Sequence, residues 1–142
     1  MNQNMTKITK GLPKEKRNEK PLLQQYLYKN NNNFSVSLIY NDGAIFNTVK
    51  VAADNYKWIY FTSLKFEGIQ QLKKILENDF IHIASHEEAF INQDFIVWIF
   101  NSDTKQHKVK VETGLYSGLP EIFKNVEDII NNNLVPLKDS NK

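Results

Sequence analysis

The apolar positions along this chain change period at one point, and the rest of the pattern is arranged around it. From Lys57 to Ser63 (KWIYFTS) aromatic and β-branched residues alternate as on a strand, whereas from Gly68 onward Ile69, Leu72, Ile75 and Leu76 recur at helical spacing. This predicts a strand and a helix joined by a tight connection. A shift of fifty residues repeats the grammar: Phe66 answers to Tyr116, Gly68 to Gly118, Ile69 to Leu119, Leu72 to Ile122, Lys74 to Lys124, Leu76 to Val126 and Glu77 to Glu127. Two of only five glycines fall in register, so an internal duplication is expected.

Side chains alternate along a strand, which lets the two copies be compared face by face. In the first, Ile59 and Phe61 point one way and Trp58, Tyr60 and Thr62 the other. In the second, Val109 and Val111 stand where Ile59 and Phe61 do, and Lys108, Lys110 and Glu112 replace Trp58, Tyr60 and Thr62. The aliphatic face is expected against the helices. The opposite face then carries aromatics in one copy and lysines in the other.

In chain order, residues 1–20 are polar and aperiodic, with Gly11, Pro13 and then Pro21, and read as a disordered arm. Residues 22–29 read as an edge strand, with a short helix as the alternative. Phe34 to Tyr40 (FSVSLIY) is a strand, Asn41-Asp42-Gly43 a hairpin turn, and Ala44 to Ala52 the returning strand. After the helix ending near Asn78, Phe80 to Ser85 (FIHIAS) reads as a strand and residues 86–93 as an irregular link. Phe95 to Phe100 (FIVWIF) is a strand apolar on both faces, which leaves its phase open. Lys108 to Thr113 is a further strand. A second helix starts near Leu119, with Pro120 in its first turn.

Runs of strands punctuated by helices give an α+β class: two ββββα-like repeats, antiparallel sheets with both helices packed on one face. A single domain is expected over 21–137, its pseudo-repeats at about 21–79 and 80–133, followed by a polar tail over 138–142. The hydrophobic content of 41% over 142 residues is enough for one core.

Charge changes the picture more than composition does. Residues 1–20 hold Lys7, Lys10, Lys14, Lys16, Arg17 and Lys20 against Glu15 and Glu19, a net of +4, so with +2 overall the other 122 residues sum to −2. A basic arm on a near-neutral body fits contact with nucleic acid or another anionic surface, or simply a solvated leader. No apolar run approaches the roughly 20 residues of a membrane span, and the N-terminus has no hydrophobic signal segment, so a cytoplasmic location is expected.

Catalytic chemistry is poorly supplied. The chain has no cysteine, its three histidines (His82, His86 and His107) lack metal-ligand spacing on a helix, and Glu87-Glu88 are adjacent rather than opposed. No phosphate-binding glycine loop or nucleophile elbow is present. The expectation is a non-enzyme without cofactor or metal.

The positive signal is aromatic: nine Phe, six Tyr and two Trp. Projecting the strands places Phe46, Lys50, Trp58, Tyr60, Trp98, Phe100, Lys108 and Lys110 on the helix-free face. Aromatics interleaved with lysines can stack bases and neutralise phosphates, with Lys14, Lys16 and Arg17 of the arm adding charge for the backbone. The same aromatics could instead be buried in a subunit interface.

WIYFTSLKFEGIQQLKKILENDFIHIASH resembles the Whirly pattern of a strand ending in F-x-x-S, a helix, and a short strand closing in an acidic or histidine-bearing loop. DFIVWIFN, HKVKVET and the helix to Ile130 resemble its second half. The likeness spans roughly Phe34 to Leu134, and the PUR-alpha repeat and the kinetoplastid guide-RNA-binding proteins are similar. The Lys-Gly-Lys segment of plant Whirly proteins has no counterpart, the one Lys-Gly being Lys10-Gly11. The resemblance implies sequence-tolerant binding of single-stranded DNA or RNA by a symmetric homo-oligomer. The alternatives are a protein-interaction module, adaptor or small inhibitor, using the same aromatic face, and a small-ligand domain with a pocket between sheet and helices.

Overall fold

In the computed structural model, residues 11–29, 32–52, 55–83, 95–112 and 121–136 are described. Six strands, β1 (Leu23–Lys29), β2 (Asn32–Ile39), β3 (Ala44–Ala52), β4 (Asn55–Ser63), β5 (Phe95–Asn101) and β6 (Gln106–Glu112), form one antiparallel sheet in the order β4-β3-β2-β1-β5-β6. Three helices accompany it: α1 (Lys14–Arg17), α2 (Phe66–Asn78), which runs into a 3-10 turn at Phe80–His82, and α3 (Glu121–Asn132). The α+β class is as read from the sequence. Four strands precede α2, and two lie between α2 and α3 among the described residues, so the second half does not display the four strands expected of it.

Each local choice has a visible cause. At the β2–β3 hairpin Gly43 adopts φ 94°, and Asp42 Oδ1 accepts the Ala44 N–H at 3.0 Å, the Asx geometry that the Asp-Gly pair favours. In β4 the pairing slips between Ile45↔Thr62 and Phe46↔Tyr60, leaving Phe61 as the extra residue of a bulge. The bulge inverts the phase, so Thr62 parts company with Trp58 and Tyr60. Its hydroxyl donates to the Val135 carbonyl at 2.7 Å.

The main core lies between the sheet and two amphipathic helices. Ile69, Leu72 and Leu76 of α2 and Ile122, Phe123 and Val126 of α3 bury Leu23, Ile39, Ile45, Trp98, Phe100, Val109 and Val111. The two helices close against one another where Gly68 meets Asn133, at the end of α3. Helix-to-sheet burial of this kind, at roughly 1.5–3 kcal/mol per large apolar side chain, is the dominant favourable contribution to folding.

The sheet's second face carries a smaller cluster, Val36, Leu38, Tyr40, Phe46 and Trp58, and it is covered by Leu12. The segment 11–20, expected as disordered, is therefore folded. Lys16 Nζ bonds Asp42 at 2.6 Å and Glu19 at 3.1 Å and lies 4.7 Å from the Tyr40 ring centroid, while the Tyr40 hydroxyl donates to the Lys16 carbonyl at 3.3 Å. Residues 1–10 and the tail 138–142 lie outside the described residues.

Two further expectations are corrected. β1 is central, paired with β2 on one side and β5 on the other, and not an edge. The Gln24 side chain is satisfied in place: it donates to the Tyr26 hydroxyl at 3.0 Å and accepts from Asn101 Nδ2 at 3.2 Å. Phe80 begins a 3-10 turn rather than a strand, since its fully buried ring packs on Trp98, His107 and Phe123 as α2 ends. Residues 86–93 lie outside the described residues.

Candidate nucleic-acid interface

Strand register lays out the second face as rows. One runs Tyr60, Phe46, Leu38, Gln24, Ile99, Lys108 from edge to edge. The next has Trp58 beside Thr48, whose hydroxyl takes the Val36 N–H at 3.1 Å, then Tyr26, Val97 and Lys110. In the third, Tyr28 stands opposite Phe95. Within the β2–β4 half of this face, Phe46 and Trp58 lie under the N-terminal segment, while Tyr60 at its edge is exposed. The β1–β5–β6 half forms a shallow cleft of about 430 Å³ lined by Tyr26, Tyr28, Phe95, Val97, Ile99, Lys108 and Lys110.

Aromatic rings line this cleft in sequence. Tyr28 lies nearly parallel to Phe95, centroids 4.5 Å apart at 14°, and Tyr26 follows at 6.4 Å and 21°. Lys110 Nζ sits 4.5 Å from the Phe95 centroid, a cation–π contact. Tyr26 and Phe95 are buried and form the floor, whereas Tyr28 and Lys110 are half-buried and Lys108 is exposed. Burial, then the neighbouring Tyr28, pushes the Tyr26 phenol up to about 12 against the opposing hydrogen bond from Gln24. Burial also raises the Tyr28 phenol. Both hydroxyls are therefore neutral at physiological pH, and the lysines face no phenolate.

The residues anticipated for the face divide into three groups. Lys108 and Lys110 line the cleft, and Tyr60 is exposed on β4 with its hydroxyl 2.6 Å from Ser63 Oγ. Phe46 and Trp58 lie on the anticipated face but are buried, at 4% and 2% exposure, beneath the N-terminal segment. Trp98 and Phe100 lie on the opposite face, inside the helix-side core, where Trp98 meets Phe123 at 4.5 Å. Lys50 pairs with Tyr56 in register. In α1, Lys14 and Arg17 are exposed, the latter donating to the Leu12 carbonyl at 3.1 Å, whereas Lys16 is buried in its ion pairs.

The residues missed are Tyr26, Tyr28 and Phe95. A signal for them existed. If Ser102 to Lys105 is a four-residue turn, Asn101 opposes Gln106, which forces Trp98 opposite Val109 and Val97 opposite Lys110; this is the observed register. That pairing settles which face of FIVWIF is which.

A second cleft, of about 560 Å³, opens between the 3-10 turn and the β5–β6 turn, with Glu77, His82, Asp103, Lys105 and His107 on its walls. His107 Nε2 is 2.9 Å from the Ile83 carbonyl. Its charges are of both signs, and among the described residues no three His, Asp or Glu side chains are placed to hold a metal ion. No described helix is long and apolar enough to cross a membrane. No protein-family model, curated protein or solved structure matches this chain.

Proposed function

We propose that this is a non-enzymatic, cytoplasmic protein that binds single-stranded nucleic acid with little sequence preference, in the cleft formed by β1, β5 and β6. One observation carries the reading: a ladder of stacked rings, Tyr26, Tyr28 and Phe95, flanked along the adjoining strand by Lys108 and Lys110. Every base offers a π-face, so a ring at the mouth of a cleft binds without reading sequence, while the ammonium groups neutralise phosphates alongside. Tyr28, partly exposed at the cleft, supplies the stacking surface, Tyr26 and Phe95 hold its plane, and Lys108 and Lys110 meet the backbone. The Whirly-like pattern is part of the same proposal. So is the duplication, for which the arrangement of β3–β4–α2 and β5–β6–α3, two hairpin-plus-helix units ending at opposite sheet edges, is the support.

Polarisation titration of labelled oligo-dT at low and at moderate salt tests the reading. Binding that weakens steeply with salt and is lost in Tyr28→Ala supports it; an affinity indifferent to salt removes it.

A second reading rests on a different surface. Ile59, Tyr60 and Phe61 are 37%, 56% and 37% exposed in succession along the edge strand β4. Such a run favours a protein partner or a second copy of the chain, as in a symmetric oligomer. Binding there would be insensitive to salt and would depend on Tyr60 rather than Tyr28.

A further inference from the structure

The open cleft is half of a larger aromatic face, and what closes the other half is a basic segment of the chain itself. Residues 11–20 carry four basic side chains to two acidic ones. They reach the sheet through one buried apolar side chain, Leu12, through Gly11, whose backbone lies close against that of Trp58, and through Lys16, by its ammonium and by its carbonyl to Tyr40. Beneath them lie Phe46 and Trp58, in the same side-chain cluster as Tyr26 and Phe95 of the open cleft. Lys16 is held by Asp42 and Glu19, whose carboxylate side chains are themselves 59% and 36% exposed. Their carboxylate ends are open to water and salt, which weakens the pairs, while Lys16 itself is 9% exposed and needs a replacement anion if they part.

We propose that this segment is a displaceable strap, and that long single strands remove it to extend their footprint across the sheet from Lys108 to Tyr60. The inference rests on the nucleic-acid reading above and adds its regulation and its size. The driving exchange is chemical. Phosphates replace the Asp42 and Glu19 carboxylates as partners of Lys16, and bases replace Leu12 against Phe46 and Trp58. The released segment keeps its positive charge and stays with the ligand. Five interstrand spacings of about 4.8 Å give a face roughly 24 Å wide, of which the uncovered β1–β5–β6 part is about 10 Å. A short ligand fits the open part alone, whereas a long one gains by uncovering the rest.

The test uses the full chain and two labelled oligo-dT probes, roughly 4 and roughly 16 nucleotides long, the extremes a small single-strand-binding fold covers. A Trp98→Phe variant leaves Trp58 as the sole tryptophan. The long probe is expected to quench Trp58 strongly and the short one to leave it unchanged while still binding. In parallel, Asp42→Asn keeps an acceptor for the Ala44 N–H but removes the charge facing Lys16. It should raise the long-to-short affinity ratio several-fold; the ratio is read because removing a carboxylate raises both affinities through net charge. Binding of both probes with Trp58 silent and the ratio unmoved overturns the strap and leaves the cleft reading intact. Binding of neither overturns both. If Trp98→Phe does not fold, the Asp42→Asn ratio alone decides.

Discussion

Tyr28 lies against Phe95 with ring centroids 4.5 Å apart and planes 14° from parallel. Two strands, β1 and β5, hold that stack, because Tyr28 and Phe95 are directly paired in the sheet and cannot slide past one another. A partly exposed ring held in plane by its neighbours at the cleft is suited to receive one further flat group. Replacing Tyr28 by Ala should cost oligo-dT binding about 1–3 kcal/mol, roughly fivefold to a hundredfold or more. Titration alongside a thermal melt checks this: the affinity must fall while the protein remains folded at the assay temperature.

Lys108 tests the electrostatic half of the same reading. It is exposed on the outermost strand beside the cleft, so its removal leaves no buried polar group behind. Lys108→Ala should flatten the slope of log affinity against log salt by about 0.7, the contribution of one phosphate contact on a single strand. An unchanged slope would mean that the strand does not pass over β6.

Trp98 should behave in the opposite way. It is 3% exposed on the helix side of the sheet, with Phe123 at 4.5 Å and Phe80 at 6.1 Å. Trp98→Ala removes a large ring from a packed core and should destabilise the fold by about 3–5 kcal/mol. Chemical denaturation would show it as a lowered midpoint. Tyr60→Ala, at an exposed site, should move the same midpoint little.

This contrast shows what the residue pattern could and could not reveal. The strands from Phe34 to Ser63 and both long helices were legible, because alternation, an Asp-Gly turn and helical spacing all point the same way there. Of Phe95 to Phe100 the strand was legible but not its phase, since β5 lies between β1 and β6 with apolar, largely buried side chains on both faces, so neither side is marked by polarity. Trp58 was assigned to the correct face and given the wrong exposure. Its cover is a polar segment whose one anchoring leucine carries no periodic signal, and whose Lys16 is buried against Tyr40, Glu19 and Asp42, the last twenty-six residues away. Central placement of β1 was hidden by Gln24 and Gln25, whose polarity suggests an edge until the partners of Gln24, Tyr26 and Asn101, are seen.

Gly68 gives a prediction in which two effects oppose each other. In an exposed helix interior, Gly→Ala stabilises by about 1 kcal/mol. Here a Cβ would collide with Cβ of Asn133 and come 2.8 Å from its Cγ. Asn133 cannot swing away cheaply, because its Nδ2 donates to the Ile129 carbonyl at 2.8 Å and its carbonyl accepts the Lys65 N–H at 2.8 Å. The clash should win, and Gly68→Ala should lower the melting temperature. A rise would show that α2 and α3 can part without cost.

The Lys16–Asp42 pair sets a pH window for the N-terminal segment. Burial alone would lower the Lys16 pKa, but its hydrogen bonds to Asp42 and Glu19 and their charges outweigh that and leave it raised. Burial alone would raise the Asp42 pKa, but the Lys16 hydrogen bond, the Ala44 N–H and the Lys16 charge hold it below the ordinary carboxylate value. A depressed acid contributes stability above its unfolded value of about 3.9, and loses it as pH falls through the folded one. A raised lysine contributes below about 10.4, and loses it as pH rises through its folded value. The pair therefore stabilises the segment between those limits. Because Asp42 is largely exposed, solvent screening keeps its contribution under about 1 kcal/mol. Wild type should be more stable than Asp42→Asn by that amount near about pH 7, and the difference should shrink once the pH falls below the unfolded value of about 3.9 and on through the lowered folded one. Denaturation of both proteins at neutral pH and along an acid series checks it. A difference that persists undiminished in acid would assign the effect of the substitution to the hairpin turn, through Ala44, and not to the ion pair with Lys16.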